Sequence, residues 1–284
     1  MQYENFTDFD AFARAQGTTT IDATEDPMAA NQALAGIFDA GAAPEPPSPS
    51  STLCQLPVGI EVDGEVRNVA QVRELNGEDE EELARVGANP FRYFDTLLRR
   101  GTVEIDTCRA TDRLLRSATL ADRDTLVLAV RIATYGPEYR WDGWICPECG
   151  ERTDLVFDLR TVEVAAPPRG EREYDVALRG DRVAWVRLPN GEDQAALFAD
   201  ESLTVAQQNS IMIGRCVLRI TEPDGSVVQG NPDLGRQLGM ADRKLLITAM
   251  AKHTYGPRLD AIELVHEDCG KEVQVALPLG ALFR

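Results

Sequence analysis

Residues 120–137 read LADRDTLVLAVRIATYGP and residues 240–257 read MADRKLLITAMAKHTYGP. Aligned without a gap they share nine identities in 18 positions, where chance supplies about one. Self-similarity at a fixed offset, here 120 residues, means one supersecondary unit written twice, so the fold class follows from reading either copy. Upstream, ELNGEDEEEL (from Glu74) pairs with RLPNGEDQAAL (from Arg187) at an offset of 114. Downstream, CPECGE pairs with HEDCGK, again at 120. The six-residue difference fits an insertion around Pro223, Asp224 and Gly225, a turn sequence.

Each copy reads in the same order. It opens with a hairpin, GIEVDGEVRNVAQV turning at Asp63-Gly64 and YDVALRGDRVAWVRL turning near Gly180. Asn76 or Asn190 then precedes an acidic first turn, which suits a helix N-terminus because the free amides and the helix dipole both favour negative charge there. In the first copy a short helix follows, with Asn89 as cap, Pro90 at the first position and Gly101 past its end. A longer helix is predicted over residues 120–134, repeated over 240–254, ending at Gly136-Pro137 and Gly256-Pro257. Leu126, Val127, Ala129, Val130 and Ala133 cover so much of its surface that it should be the buried centre of its domain. Each copy closes with strand, knuckle and strand. The predicted fold is therefore α+β: a tandem duplication of a β-hairpin, helical and zinc-ribbon-like domain, with repeats over residues 54–168 and 169–284.

Before the repeats, residues 1–53 carry eight acidic residues and one basic, and end in the Pro/Ser run AAPEPPSPSS. Such a segment buries too little apolar surface to offset its ordering entropy, and is expected to be a disordered acidic arm and linker. Within it Tyr3, Phe6, Phe9 and Phe12 recur every third residue, either as a fluctuating hydrophobic spot or as a peptide that folds on a partner. The whole chain of 284 residues, 43% apolar, has length for about two domains. Its 29 Lys and Arg against 47 Asp and Glu give a net charge of −18, which opposes nucleic acid or an anionic membrane as the main partner. The most apolar segment is broken by Asp122, Arg123, Asp124 and Arg131, so no membrane helix is expected. The opening MQYENFTDFD lacks the basic-then-apolar pattern of a signal peptide, and a cytoplasmic location is expected. In a reducing compartment the six cysteines read as free thiols or metal ligands rather than disulfides.

The chemistry lies in the knuckles. Cys146-Pro-Glu-Cys149-Gly150 sets two thiolates three positions apart on a tight turn, able to face one metal, and supplies half of the four ligands that structural zinc takes. His266 and Cys269, again three apart and again followed by glycine, stand at the corresponding place and complete a Cys₃His set. A single Zn²⁺ held by Cys146, Cys149, His266 and Cys269 requires the ligand atoms to converge within about 4 Å. The competing readings are vestigial knuckles of buried thiols, separate zinc sites completed by a second chain, and a redox pair. The last is opposed by the strand that follows, since redox CxxC pairs open helices. His253 is isolated, Cys54, Cys108 and Cys216 have packing as their default, and the run from Glu78 to Glu82 reads as a solvated helix start. Asp122-Arg123 and Asp242-Arg243 are explained by helix capping with an ion pair. No phosphate-binding glycine loop, nucleophile elbow or paired histidines occur, so no enzyme reaction and no small-molecule substrate is expected.

RELNGEDEEELAR, then LADRDTLVLAVRIATYGPEY, then CPECGERTDLVFDL, in that order over residues 54–159, resemble the family of T-even-type baseplate hub assembly chaperones of contractile-tailed phages and related injection systems. The DRD at Asp122 to Asp124 and the cysteine knuckle match the family pattern, while the second copy departs from it at Lys244 and His266. The resemblance implies a non-enzymatic assembly or structural role through contacts with baseplate hub or other tail proteins. It implies work in the host cytoplasm during assembly, with the virion baseplate as the alternative location. The competing class is a zinc-ribbon module in transcription or nucleic-acid handling, which the knuckles favour and the net charge opposes.

Overall fold

The computed structural model describes residues 51–86 and 89–283. Tyr3, Phe6, Phe9, Phe12 and the rest of the arm before Ser51 lie outside the described residues. Ser51, Thr52 and Leu53, which sequence alone assigns to the linker, are already strand, because Arg73, Val72 and Gln71 stand opposite to pair with them.

In the first half of the body, β1 (Ser51–Val62) and β2 (Glu65–Arg73) form a hairpin, followed by α1 (Gly77–Arg85) and α2 (Pro90–Gly101). Short strands β3 (Thr102–Ile105) and β4 (Cys108–Arg109), then α3 (Asp112–Ser117) and α4 (Leu120–Tyr135), lead into a ribbon of β5 (Glu138–Ile145) and β6 (Arg152–Asp158). After β7 (Val164–Ala165) the order returns. Hairpin β8 (Glu173–Ala177) and β9 (Val183–Arg187) precedes α5 (Gly191–Leu197) and α6 (Val205–Cys216). Next come β10 (Val217–Thr221), β11 (Val227–Gln229), α7 (Leu234–Gln237) and α8 (Met240–Lys252). The short β12 (Gly256–Pro257) leads to a second ribbon, β13 (Ile262–Val265) and β14 (Glu272–Val275). The two four-stranded sheets run β1-β2-β3-β4 and β8-β9-β10-β11, each in chain order. Their clearest difference is the β10–β11 turn, residues 222–226 against only Asp106 and Thr107 between β3 and β4, with Gly225 at φ +83°.

Local chemistry sets the helix boundaries. Asn76 and Asn190 each cap a helix and close a capping box with the aspartate three residues on. Asn89 caps α2, whose first residue is Pro90. Gly101 is the last residue of α2 rather than a residue beyond it; a Cβ there would meet Val130 at 2.6 Å, so the glycine serves the close approach of α2 to α4. Thr119 caps α4, which buries Leu126, Val127, Leu128 and Val130 as expected of a central helix.

Its counterpart departs from that expectation. Met240–Lys252 buries only Asp242 and Leu246, and ends before His253, whose ring stacks on Tyr174 with centroids 3.7 Å apart. The reason lies in how the cores are shared. One core joins the first-half elements to both ribbons, adding Leu259, Ile262, Val275, Leu277 and Leu282 from the chain's end. The other holds Val186, Ile213, Cys216, Ile220 and Leu246 and receives neither ribbon. Further links cross between halves: β7 pairs with β12, and Arg131 donates to the Leu282 carbonyl at 2.6 Å. The described residues accordingly form one compact unit.

Candidate metal centre

Each knuckle is shaped by its own backbone. In the first, the Cys146 N–H donates to the Glu151 carbonyl at 3.0 Å and the Gly150 N–H to the Cys146 carbonyl at 2.9 Å. In the second, His266 and Lys271 pair in the same way at 2.9 Å, and Gly270 and His266 at 2.7 Å. Gly150 and Gly270 take φ +76° and +65°, a left-handed conformation that a side chain disfavours. The two turns thus present residues 146 and 149, and 266 and 269, on equivalent sides of their ribbons.

The ribbons bring those four side chains together. One ligand atom from each of Cys146, Cys149, His266 and Cys269 lies within 4.8 Å of all the others. His266 Nδ1 stands 3.2 Å from Cys269 Sγ and 3.6 Å from Cys149 Sγ. A tetrahedral ion with Zn–S near 2.3 Å would set sulfurs about 3.8 Å apart, so the cluster is wider than the expected 4 Å and would contract by about 1 Å to close. Two features of the donor set fit a metal. His266 is 3% exposed, and its Nε2 has no hydrogen-bond partner among the described residues. With the proton on Nε2 the ring directs its Nδ1 lone pair at the thiols; the Asp268 carboxylate lies 3.5 Å from Nε2, near enough to attract that proton without completing a hydrogen bond. Three thiols and an imidazole are the ligands of closed structural zinc sites.

The electrostatics favour a thiolate. Burial pushes the Cys146 thiol up, but the Cys149 and Glu148 amides and the neighbouring thiols outweigh it and hold it below the ordinary value. At Cys149 the Glu151 amide pulls down, while burial and the other two sulfurs prevail and push it up. Cys146 is thus the readier thiolate of the pair, and a cation would relieve the repulsion that holds the Cys149 thiol up. Across the rim Lys271 Nζ bonds Glu148 at 2.8 Å, tying knuckle to knuckle, and Trp144 packs edge-on against His266 with centroids 5.9 Å apart.

The other candidates resolve into structure. Burial pushes Cys54 to about 11 and Cys216 to about 12, leaving both as packed thiols, with the Asp122 and Asp193 carboxylates adding to the effect. His253 hydrogen-bonds the Ala249 carbonyl through Nδ1. The expected ion pairs Asp122-Arg123 and Asp242-Arg243 do not form. Asp122 instead accepts from the Val58 and Gly59 amides at 2.9 and 3.1 Å, pinning the irregularity in β1, while Arg123 reaches Asp95 and the Leu115 carbonyl. Asp242 accepts from the Arg179 amide and Arg182, while Arg243 reaches Ser210 and the Ala206 carbonyl.

The acidic run also holds a buried member. Asp79 is fully buried between Arg73 and Arg100, and Asp193, at the same place in α5, between Arg187 and Arg215. Sequence reading missed this device because its arginines come from the preceding strand and from the end of the next helix. The signal was available, since Arg73 and Arg187 occupy one alignment column.

Residues 104–234 match the family described as T4 bacteriophage base plate protein, a stretch from β3 to the start of α7 that includes the first knuckle. That match supports a structural or assembly role in a phage baseplate. No curated protein and no solved structure matches the chain. No helix among the described residues is long and apolar enough to cross a membrane.

Proposed function

We propose that the chain is a non-enzymatic assembly factor or structural component of a contractile phage tail baseplate hub, acting through protein contacts with a zinc-stabilised body. The match of residues 104–234 to the base plate family carries this reading. Two copies of one unit, residues 54–168 and 169–284, form the body in this reading; the shared element order and the paired Asp79 and Asp193 devices support it. Cys146, Cys149, His266 and Cys269 hold one Zn²⁺, which welds the two ribbons and has no catalytic part. The arm before Ser51 supplies the contact peptide, with Tyr3, Phe6, Phe9 and Phe12 on the face that meets a hub or other tail protein.

Pull-down of the purified tail proteins of the same phage by the full chain tests the reading. Capture of a hub component is expected, and removal of residues 1–50 should weaken it without lowering the melting temperature of the body. Failure to capture any tail protein, together with retardation of DNA in a low-salt gel, would replace it with the nucleic-acid reading. Metal analysis tests the zinc separately. About one zinc per chain is expected, lost in Cys269→Ser, and metal-free native protein would refute it.

A further inference from the structure

The two halves meet through different surfaces, and each half keeps the surface that the other uses. Around the α3–α4 junction, the Leu120 N–H donates to the Pro189 carbonyl at 3.0 Å and the Gly191 N–H to the Ala118 carbonyl at 3.1 Å, an antiparallel bridge between Thr119 and Asn190. Gly191 has to be glycine here, for a Cβ would lie 2.7 Å from Arg123 Nη1 and 3.0 Å from the Arg116 backbone. Glu192, next along α5, adds to the negative field around Arg116, after the dominant bond from Asp95. This joint is heterologous: the α3–α4 junction of the first half receives the α5 N-terminus of the second.

The surfaces that this joint leaves unused are both exposed. The counterpart of Asn190-Gly191-Glu192 is Asn76-Gly77-Glu78, all three exposed, and a Cβ on Gly77 would meet nothing within 4 Å. Nothing among the described residues requires a glycine at this helix start. The counterpart of Thr119-Leu120 is Gly239-Met240, with Met240 87% exposed, and that of Arg116 is Arg236, also exposed. The Gly77 and Met240 N–H groups have no hydrogen-bond partner among the described residues. Glu78 on one surface and Arg236 on the other are both exposed and held only by loose pairs, Glu78 with Arg100 at 4.0 Å and Arg236 with Asp233 at 3.4 Å, so the surfaces are complementary in charge as well as in backbone.

We propose that a second copy of this chain docks head to tail, its Asn76-Gly77-Glu78 seated on the Leu238-Gly239-Met240 junction as Asn190-Gly191-Glu192 seats on Ala118-Thr119-Leu120. The inference does not depend on the baseplate reading. Repetition of a heterologous joint yields a ring where the rotation closes and a filament where it does not. The intermolecular joint is the weaker one. Inside the chain Phe91 and Phe198 also stack across the joint, with centroids 6.2 Å apart, whereas their counterparts are Ala206 and Ala84.

Sedimentation velocity of the full chain across the micromolar range tests this. Reversible association that weakens with dilution and with salt is expected, because an exposed Glu–Arg contact is screened. Arg236→Glu and Glu78→Arg should each weaken it about tenfold, and the two together should restore it. Gly77→Ala, whose Cβ meets nothing within 4 Å in the free body, should abolish association while leaving the melting temperature unchanged. A monomer at every concentration, or association indifferent to all these substitutions, overturns the proposal.

Discussion

Replacing Asp193 by asparagine isolates the device that both halves bury. The Asp193 carboxylate is fully inside and accepts five hydrogen bonds: from the Asn190 amide at 3.0 Å, from Arg187 at 2.7 and 2.9 Å, from Arg215 at 2.7 Å and from the Cys216 thiol at 3.8 Å. Asparagine keeps the shape, removes the charge and turns an amide N–H toward a guanidinium. Breaking a fully buried ion pair costs about 3–5 kcal/mol. Arg187 and Arg215 keep 27% and 36% of their side-chain surface in water, so a released guanidinium is partly rehydrated, and the expected loss is about 2–3 kcal/mol. Asp79→Asn should cost a similar amount, since Arg73 and Arg100 are 22% and 28% exposed.

The assay is urea unfolding combined with hydrogen exchange. Asp193→Asn should loosen the core around Ile213, Ile220 and Leu246 first, and Asp79→Asn the core around Leu97 and Leu126. The pH dependence is fixed in sign. Burial alone would raise both carboxyls, but the arginines and the cap amides outweigh it and hold both below the usual range. Their stabilisation is therefore complete above the ordinary carboxylate pKa of about 3.9 and is lost as pH falls through the lower folded value. The penalty of either variant should shrink below about pH 4. A loss at neutral pH under about 0.5 kcal/mol, the level of an ordinary surface change, would refute the reasoning.

Three further outcomes follow from the same structure. Burial raises Asp124 to about 6 against the opposing field of Arg123; the folded state binds the extra proton, so stability should fall as pH rises from about 4 to about 6. Asp124→Asn should flatten that slope and stabilise the protein at pH 7 by about 1–2 kcal/mol, read from urea midpoints. Gly101→Ala should destabilise by about 1 kcal/mol, because the clash with Val130 exceeds the gain in helix propensity, and Val130→Ala should reverse the sign of its effect. On the proposed zinc reading, chelation of a Zn²⁺ held by Cys146, Cys149, His266 and Cys269 should red-shift tryptophan emission, through Trp144 beside His266, and deprotect the first-half core while leaving the amides of β8 to β11 unchanged.

Much of the local structure was legible because its causes are local. Asn76, Asn190 and Asn89 announce their helices through the amides they satisfy, and Gly150 and Gly270 mark knuckles through the backbone angle that they permit. The Cys₃His set could be assembled on paper because CPECG and HEDCG share a spacing and a glycine that give both turns the same backbone, so their ligand positions correspond. What the pattern could not carry was the partner of each buried charge. Asp122 looked like a cap with an adjacent arginine, yet its carboxylate serves amides in a strand 63 and 64 residues away. Hydrophobic periodicity likewise says that a helix has an apolar face without saying whose residues cover it.

That last point explains why two helices of similar sequence ended in unlike environments. Both ribbons pack with the first-half core, so α4 is roofed by Leu155 and Phe157 from its own ribbon and by residues from the chain's end, while α8 has no ribbon above it. The arrangement needs the polypeptide to cross twice between halves, once at β7 with β12 and once where residues 281–283 reach Arg131 and Tyr139. A metal joining Cys146 and Cys149 to His266 and Cys269 would close that crossing like a staple, since the ribbons meet only through short strands and exposed turns. The exposed side of α8, with Met240 and Leu245, is then the expected consequence of moving the second ribbon away.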